Sequence, residues 1–544
     1  MIPRLPMPPP RALLVALAAV FVSPGLADHD PWKAFDVVAI EIARGMLAGG
    51  DWLIPRVAGE PWLDDPPLYH WLAAAFGAAL GGVLQFHNAA RLASALAMLA
   101  AFWFVYLAAR HSSAYTGEDA RGSARGIGAC AMLLLAGSVG LIVHAHEAVP
   151  DLAALAAACA AFLFLFRAAR HPLGAGLAFG AAAAVAFLAT GFVVPAVLAL
   201  TAVAAHAACD ELRTRRAALF LAPALVLPAL AVALWALALW LRAPEHAHAW
   251  WQQTVRPRGE FGPTLRYYLV TASWYAWPAW PLALWAAWTL RRQWRAPRVF
   301  VPLVASLAAL IAIAWSGGTQ DINATVLLAP LALLGAHGVA SLRRGAAAAL
   351  DWLGIMTFSF FTALVWLGYV AMMTGWPPRI ARNFAKTAPG FVPQFEWLPL
   401  AFALALTLGW LYLVLFAAPS PARALVRWAA GVALLWGTFA MLWMPWADYQ
   451  KSYRGVALQL RSRLPAAPGC IAGSGLGLPQ RAALSYHAGI RTMAPSAACR
   501  YFLVQGQLRH EADAPGPGWV KLADVGRPGD KSERFRLYRR DLRP

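Results

Sequence analysis

Charged residues are scarce in this chain of 544 residues, where they make up 13% of the sequence against 60% for hydrophobic residues. Soluble domains carry about 25% charged residues. The 26 Trp and 26 Phe residues exclude a disordered chain, and five Cys residues are too few for a disulfide-stapled fold. The composition therefore predicts an integral membrane protein.

Two further absences narrow the function. No phosphate-cradling P-loop and no dinucleotide-binding motif appears in a strand-helix unit, so energy coupling by ATP is not expected of this chain. The formal net charge of +19 comes from Arg residues in short clusters between apolar runs, not from one basic face. We therefore predict no nucleic-acid partner and interpret the clusters as topology signals.

Apolar runs of about 20 residues, the length that crosses a bilayer, occur repeatedly along the chain. They begin near Arg11, Leu68, Leu92, Ile127, Leu152, Ala175, Phe192, Leu219, Tyr268, Val299, Ile322, Leu353, Leu398 and Val426. If all the Arg-rich loops are cytoplasmic, consecutive loops must enclose an even number of spans. Every pair from Arg110 onward encloses two runs, but three runs precede Arg110.

One of these three runs is therefore predicted not to cross. We choose the run at Leu68, which follows Asp64-Asp65-Pro66-Pro67 and is rich in Ala and Gly, and we expect it to lie at the membrane interface. Thirteen spans remain. The N-terminus is then cytoplasmic, and residues 28–90 and the tail lie outside. A cleaved signal peptide is the alternative for the first run, because it is short and ends at Ser23-Pro24-Gly25.

The tail differs in composition from the rest, with charges, Gly and Pro at frequencies typical of soluble proteins. We predict two domains, a transmembrane domain at residues 1–446 and a soluble α/β domain at residues 447–544. The predicted tail helices and strands are Val456–Leu464 and Arg481–His487, and Cys470–Ala472, Tyr501–Val504, Trp519–Leu522 and Phe535–Tyr538. Cys470 and Cys499 form either a disulfide or two buried thiols. The predicted fold class is an all-α polytopic membrane protein with interfacial helices and this small α/β domain.

The outer segments hold the candidate functional residues. In the first, residues Ala34 to Leu47 have apolar side chains at helical spacing, which predicts an amphipathic helix on the membrane surface. A second outer turn places His146, Glu147 and Asp151 beside apolar spans, where ionisable groups are costly unless they serve a function. Residues 242–266 mix aromatic and basic side chains suited to a lipid phosphate, and residues 375–396 carry Arg379, Arg382 and Lys386.

A divalent metal is a further expectation. His146, Glu147 and Asp64 are of the residue types that bind such ions, although their spacing matches no established metal motif.

Several short motifs recur in the order found in one family. They are Asp30-Pro31-Trp32-Lys33, Ile42-Ala43-Arg44-Gly45-Met46-Leu47, Gly50-Asp51-Trp52, Gly59-Glu60-Pro61, Asp65-Pro66-Pro67-Leu68-Tyr69-His70-Trp71, His146-Glu147, Phe261-Gly262-Pro263, Tyr267-Tyr268, Gln320-Asp321, Asp448-Tyr449 and Lys451-Ser452-Tyr453-Arg454. Together they resemble the protein-mannosyltransferase and lipid A aminoarabinose-transferase type of membrane glycosyltransferase, in the glycosyltransferase C superfamily. The resemblance covers most of the chain.

The resemblance implies an enzyme that moves a sugar from a polyprenyl-phosphate donor to a lipid or protein acceptor at the outer face, with inversion. It also implies about thirteen spans and an acidic catalytic pair in the first outer loop. Two departures stand out. The family's Asp-Glu pair is Phe35-Asp36 here, and its Glu-Lys pair before the prolines is Asp64-Asp65, so a phosphate-binding Lys is replaced by an acid.

We accordingly predict Asp36 as the leading catalytic base, with Asp151 and Glu147 as supporting acids. The predicted substrate-binding residues are Lys33, Arg56, Asp64, Asp65, Arg256, Arg258, Arg266, Tyr267 and Tyr268. The predicted location is a bacterial inner membrane with the site facing the periplasm. Two alternatives remain open, a transporter of lipid-linked sugars and a catalytically impaired relative that binds polyprenyl phosphate.

Overall fold

The computed structural model describes residues 9–32, 34–113, 121–214, 216–256, 258–418, 420, 422–496, 498–507 and 515–541, with the backbone alone for 121–123. The α-helices of this part are α1 (Arg11–Val22), α2 (Phe35–Leu47), α3 (Leu68–Leu80), α4 (Phe86–Ser112), α5 (Arg121–Ala136), α6 (Leu141–His144), α7 (Asp151–Leu165), α8 (Pro172–Thr190), α9 (Val193–Ala208), α10 (Ala217–Arg242), α11 (Pro244–Val255), α12 (Phe261–Tyr275), α13 (Ala279–Thr289), α14 (Pro297–Ser316), α15 (Leu328–Gly338), α16 (Arg344–Thr374), α17 (Pro378–Thr387), α18 (Trp397–Phe416), α19 (Arg423–Leu442), α20 (Met444–Lys451), α21 (Arg454–Ser462) and α22 (Leu478–Ala488). Short 3-10 segments span Arg291–Gln293, Asp321–Leu327 and Val339–Ser341.

Eight helical segments of the described residues are long and apolar enough to cross a membrane. They are α4, α8, α10, α14, the segment Asp321–Ser341 that contains α15, α16, α18 and α19. Each remaining predicted span also corresponds to helix: α1, α5, α7 and α9 are shorter apolar helices, and the run near Tyr268 is divided into α12 and α13. The predicted polytopic helical fold is confirmed.

The loops at the two ends of the bundle differ in charge. At one end, Arg167 and Arg170 lie within electrostatic range of His111, and Ser112 at the end of α4 contacts the His337 ring at 2.9 Å. At the other end, the turns before α7 and before α15 meet, because His144 contacts Asp321 at 3.6 Å. The predicted grouping of basic loops on the cytoplasmic side stays a prediction.

The helix predicted for residues 34–47 forms as α2, but it does not lie on a surface with one face open. Helix α3 packs on one side of α2 and helix α22 of the tail on another, so Asp36 and Glu41 are buried along with the apolar residues. Helix α3 has 13 residues and reaches about 20 Å, less than the roughly 30 Å of a bilayer core. Helix α1, which is counted as a predicted span, has only 12 residues, so length alone does not decide between the two and the prediction that the run at Leu68 does not cross stays a prediction.

The tail forms a four-stranded sheet in the order β3-β4-β6-β5, and residues 56–61 form a two-stranded hairpin of β1 and β2. The strands are β1 (Arg56–Val57), β2 (Glu60–Pro61), β3 (Ile471–Ser474), β4 (Tyr501–Gly506), β5 (Trp519–Val525) and β6 (Arg534–Arg540). β3 and β4 are parallel, and the other neighbours in the four-stranded sheet are antiparallel.

A disulfide joins Cys470 to Cys499 in the tail, which decides between the two alternatives left by the sequence. The hydrophobic core of the tail is shared with the first outer segment, because Val37, Ile42 and Val57 pack in one cluster with residues of α21, α22 and the sheet. The tail is thus held against α2 and the hairpin, next to the acidic turns.

Candidate active site

Asp36 lies at the start of α2 in a fully buried ion pair. Its carboxylate accepts hydrogen bonds from Arg91 of α4 at 2.7 Å and 3.2 Å, and both side chains have 0% exposure. The backbone N–H groups of Ala148 and Trp32 also donate to it, at 2.7 Å and 3.3 Å. All these contacts use the two oxygens with which a base would accept a proton.

The charge on Asp36 is therefore well compensated. Burial raises its pKa, but the adjacent Arg91 guanidinium and the hydrogen bonds outweigh burial, so the pKa lies below its ordinary value. Arg91 in turn donates to the carbonyl oxygens of His29 and Asp30 at 3.0 Å and 3.2 Å. These bonds tie α2, α4 and the loop before α2 together, and the geometry suits a positioning group better than a base.

A second ionic cluster lies beside Phe35, the residue that stands where the family has its catalytic Asp. The Phe35 and His144 rings are 6.3 Å apart, and His144 contacts Glu147 at 3.0 Å and Asp321 at 3.6 Å. Burial lowers the pKa of His144, but the two carboxylates outweigh it and raise the pKa to about 9. His144 is thus a cation held between two acids, of which Asp321 is 41% exposed.

A third group joins the acidic residues before α3 to the start of α7. Asp151 and Asp64 both lie near Asp65, and burial together with these two charges raises the Asp65 pKa to about 8. The Trp62 indole N–H donates to Asp65 at 3.3 Å. The raised pKa favours the neutral form of Asp65, which can donate a hydrogen bond but cannot supply the positive charge of a lysine.

Some of the predicted phosphate-binding residues lie close to the group formed by Asp64 and Asp65. Arg258 pairs with Asp64 at 2.6 Å. The Tyr268 hydroxyl donates to the Gly318 carbonyl oxygen and accepts from Asn323 at 2.9 Å, while the Tyr267 ring packs on Tyr268 with centroids 5.1 Å apart. The contacts of Tyr268 hold the turn before the Asp321 segment in place.

Lys451 brings a cation from the end of α20 to the same region. Its ammonium lies 4.5 Å from the centre of the Trp32 ring and within electrostatic range of Glu147. The Trp32 indole N–H donates to Asp448 at 2.7 Å, and Asp448 also accepts from the Asp30 N–H at 3.0 Å. Asp448 and Lys451 of α20 therefore both contact Trp32 and hold the loop that leads into α2 in position.

Three predicted substrate-binding residues are not drawn into these contacts. Arg56 is exposed and donates to Gly59 within its own hairpin at 3.2 Å. Arg256 and Arg266 are exposed at the end of α11 and on α12. Lys33 lies outside the described residues.

The predicted metal set stays a prediction, and the contacts of the described residues do not favour it. Both His146 ring nitrogens contact carbonyl oxygens, those of Ile142 at 2.9 Å and Phe21 at 2.6 Å, so neither is free to bind an ion. Asp64 and Glu147 belong to separate ion pairs. Among the described residues no group of three or more His, Cys, Asp or Glu side chains could hold a metal ion.

Reasoning from the sequence did not assign roles to Arg91, His144, Asp321 or Lys451. A signal existed for Arg91, because an Arg inside an apolar run needs a buried partner. The spacing of His144 and Glu147, three residues apart, was a second signal, since it brings side chains together within one helical turn. Nothing local could have shown that Asp321 and Lys451 reach the same place from far along the chain.

Comparison with known proteins gives a partial sequence match. Residues 64–241 match the family model described as dolichyl-phosphate-mannose-protein mannosyltransferase. The undecaprenyl phosphate-alpha-4-amino-4-deoxy-L-arabinose arabinosyl transferase of Pseudomonas aeruginosa strain LESB58 is 31% identical over 102 residues, which are 18% of this chain. This match spans 17% of that relative's length.

Solved structures extend the likeness to the whole fold. ArnT from Cupriavidus metallidurans in the apo state has a TM-score of 0.68 at 18% identity, and the match covers 97% of each chain. The same protein bound to undecaprenyl phosphate gives a TM-score of 0.67 at 19% identity, again with 97% of each chain covered. The predicted resemblance is confirmed at the level of the fold, because the chain has the polytopic fold that ArnT adopts.

Proposed function

We propose that this protein is a membrane glycosyltransferase that transfers a sugar from a polyprenyl-phosphate donor to an acceptor lipid of the lipid A kind. The observation that carries the proposal is the cluster of His144 with Glu147 and Asp321, which has Lys451 within electrostatic range of Glu147. The Phe35 ring lies 6.3 Å from the His144 ring, which supports assigning the site to this cluster. The match to ArnT over 97% of both chains supports the fold in which such a site works.

Sugar transfer from a phosphate-linked donor needs stabilisation of the departing phosphate. Because Asp65 replaces the family's lysine, we assign this task to Lys451 and Arg258, and the exposed Arg256, two residues before Arg258, is a further candidate. Arginine forks suit the geometry of phosphate oxygens. Protonated Asp65 would add one hydrogen bond, since its pKa is raised to about 8.

The second task is removal of the acceptor proton. We assign Glu147 as the base, because its described contact engages Oε2 with His144, whereas both oxygens of Asp36 are occupied by Arg91 and two backbone N–H groups. The bond between the anomeric carbon and the phosphate oxygen breaks, the acceptor hydroxyl oxygen forms the new bond with inversion, and its proton goes to Glu147. His144 holds Glu147 and Asp321 in place through its ion pairs. The charge of Asp151 contributes to the raised pKa of Asp65.

The proposed location is the bacterial inner membrane, with this site on the periplasmic face. The disulfide between Cys470 and Cys499 supports this assignment, since disulfides persist in oxidising compartments such as the periplasm.

The test uses purified protein in liposomes with a polyprenyl-phosphate sugar labelled in the sugar and an extracted outer-membrane lipid fraction. The proposal expects label to move from the polyprenyl carrier to the acceptor lipid. A transporter would instead deliver the intact labelled carrier to the opposite leaflet, and an impaired relative would bind the carrier without turnover. Either outcome would contradict the enzymatic assignment.

A further inference from the structure

The short helix α17 carries its charges on one face. Arg379, Arg382 and Lys386 are all exposed. At 3.6 residues per turn these positions fall within about a third of the helix circumference. This cationic face, defined by the three residues, has no role in the site described above.

The opposite face of α17 is apolar and anchored to the protein. The Phe384 ring packs against Trp443 and Trp446, with centroids 4.9 Å away in each case. Ile380 is half-buried on the same side of the helix. The packing of this face leaves the cationic face turned away from the protein.

The position of α17 along the chain fixes its depth in the membrane. It joins α16 and α18, two membrane-crossing candidates of which only 28% and 11% is buried inside the protein. The side chains flanking it, Trp376, Phe395 and Trp397, are 68%, 63% and 71% exposed. Exposed aromatic residues at the ends of spans are typical of the membrane–water interface, so α17 lies at the level of the lipid headgroups.

Within the described residues, the cationic face has no counter-charge. In the part of the chain that the structure describes, none of the three cations forms an ion pair with a carboxylate. Three unpaired cations at the headgroup level attract anionic lipid, at about 1 kcal/mol for each Lys or Arg, which equals about a five-fold change in affinity.

We propose that the cationic face of α17 is a docking surface for anionic phospholipids of the surrounding leaflet, recognised through their headgroup phosphates. The surface connects to the candidate site, because the Tyr449 hydroxyl of α20 donates to the Pro389 carbonyl oxygen just after α17 at 2.9 Å. Helix α20 also carries Asp448 and Lys451, which clamp Trp32. Bound lipid therefore stabilises the position of helix α20 and of Lys451 at its end. The binding of lipid to this surface does not depend on the proposed enzymatic activity.

The test is lipid binding by the detergent-purified full-length protein, followed by native mass spectrometry during titration with phosphatidylglycerol or phosphatidylcholine. The variant replaces Arg379, Arg382 and Lys386 by Gln. The matched control replaces three exposed cations of the tail, Arg463, Arg539 and Arg540, by Gln. Thermal unfolding of both variants checks that they fold, as expected for exposed side chains.

The wild type and the control should prefer phosphatidylglycerol equally, and the α17 variant should lose about five-fold of that preference for each cation removed. An unchanged preference in the α17 variant would overturn the proposal. Equal loss in the control would also overturn it, because the effect would then reflect net charge. Displacement of phosphatidylglycerol by millimolar inorganic phosphate would show a site for free phosphate and would contradict a lipid surface.

Discussion

Replacing Asp36 by Asn distinguishes a positioning role from a catalytic one. The substitution keeps the shape of the side chain but removes the charge that neutralises Arg91, which has 0% exposure. The Asn amide group can accept through one oxygen only, whereas Asp36 now accepts from Arg91 and from the Ala148 and Trp32 N–H groups. At least one of these donors loses its partner.

Breaking a buried ion pair on one side costs about 3 to 5 kcal/mol. We therefore expect the Asp36→Asn variant to lose free energy of unfolding in this range, measured by denaturant titration in detergent. Sugar transfer per folded molecule should fall much less than the yield of folded protein. The matched control is Asp64→Asn, which removes a partner of Arg258 from a pair whose side chains are 37% and 52% exposed and should cost at most about 1 kcal/mol.

One result would refute this reasoning. If Asp36→Asn unfolds at the same denaturant concentration as the wild type and yet abolishes transfer, Asp36 is the base that the sequence predicts. The partner variant Arg91→Met adds a check, because combining it with Asp36→Asn should cost less than the two changes added together. Strict additivity would mean that the two side chains do not stabilise each other.

The other predictions concern pH, the disulfide and the site carboxylate. The folded protein holds a proton on Asp65 up to about pH 8, whereas the ordinary value is 3.8, so stability should fall as pH rises through this window. Asp65→Asn should flatten the slope, raising the melting temperature at pH 8 and leaving it unchanged near pH 4; a parallel pH profile in the variant would contradict the raised pKa. Replacing Cys470 and Cys499 by Ser should destabilise the tail by about 3 to 4 kcal/mol, given their sequence separation of 29; resistance of the tail to proteolysis measures this, and unchanged resistance would argue against the bond. Glu147→Gln should lower the free energy of unfolding, because it removes a partner of His144 from a pair whose side chains are only 11% and 12% exposed, and it should also slow transfer per folded molecule.

The sequence alone predicts the helical framework well because apolar length and the placement of Arg are local signals. Each predicted span corresponds to a helix or a pair of helices. The tail helices and strands also form close to their predicted positions. These features depend on periodicity and composition within a few turns of chain.

The site was harder to predict because its residues come from distant segments. Asp36 looks like a free acid in the sequence, and only the fold shows that Arg91 and the turn at Ala148 surround it. The predicted surface position of α2 fails for the same reason, since the tail, about 400 residues later, covers it. Contacts between segments far apart in the sequence determine both the surroundings of Asp36 and the burial of α2, and such contacts cannot be inferred from a single sequence.

The central claim is that Glu147, held by His144 beside Lys451, acts as the base of sugar transfer. The most direct measurement is the single-turnover transfer rate of Glu147→Gln in liposomes, normalised to folded protein and compared with that of the wild type at saturating donor. The account predicts a rate lower by about two to four powers of ten with donor binding retained. A rate equal to that of the wild type would contradict it.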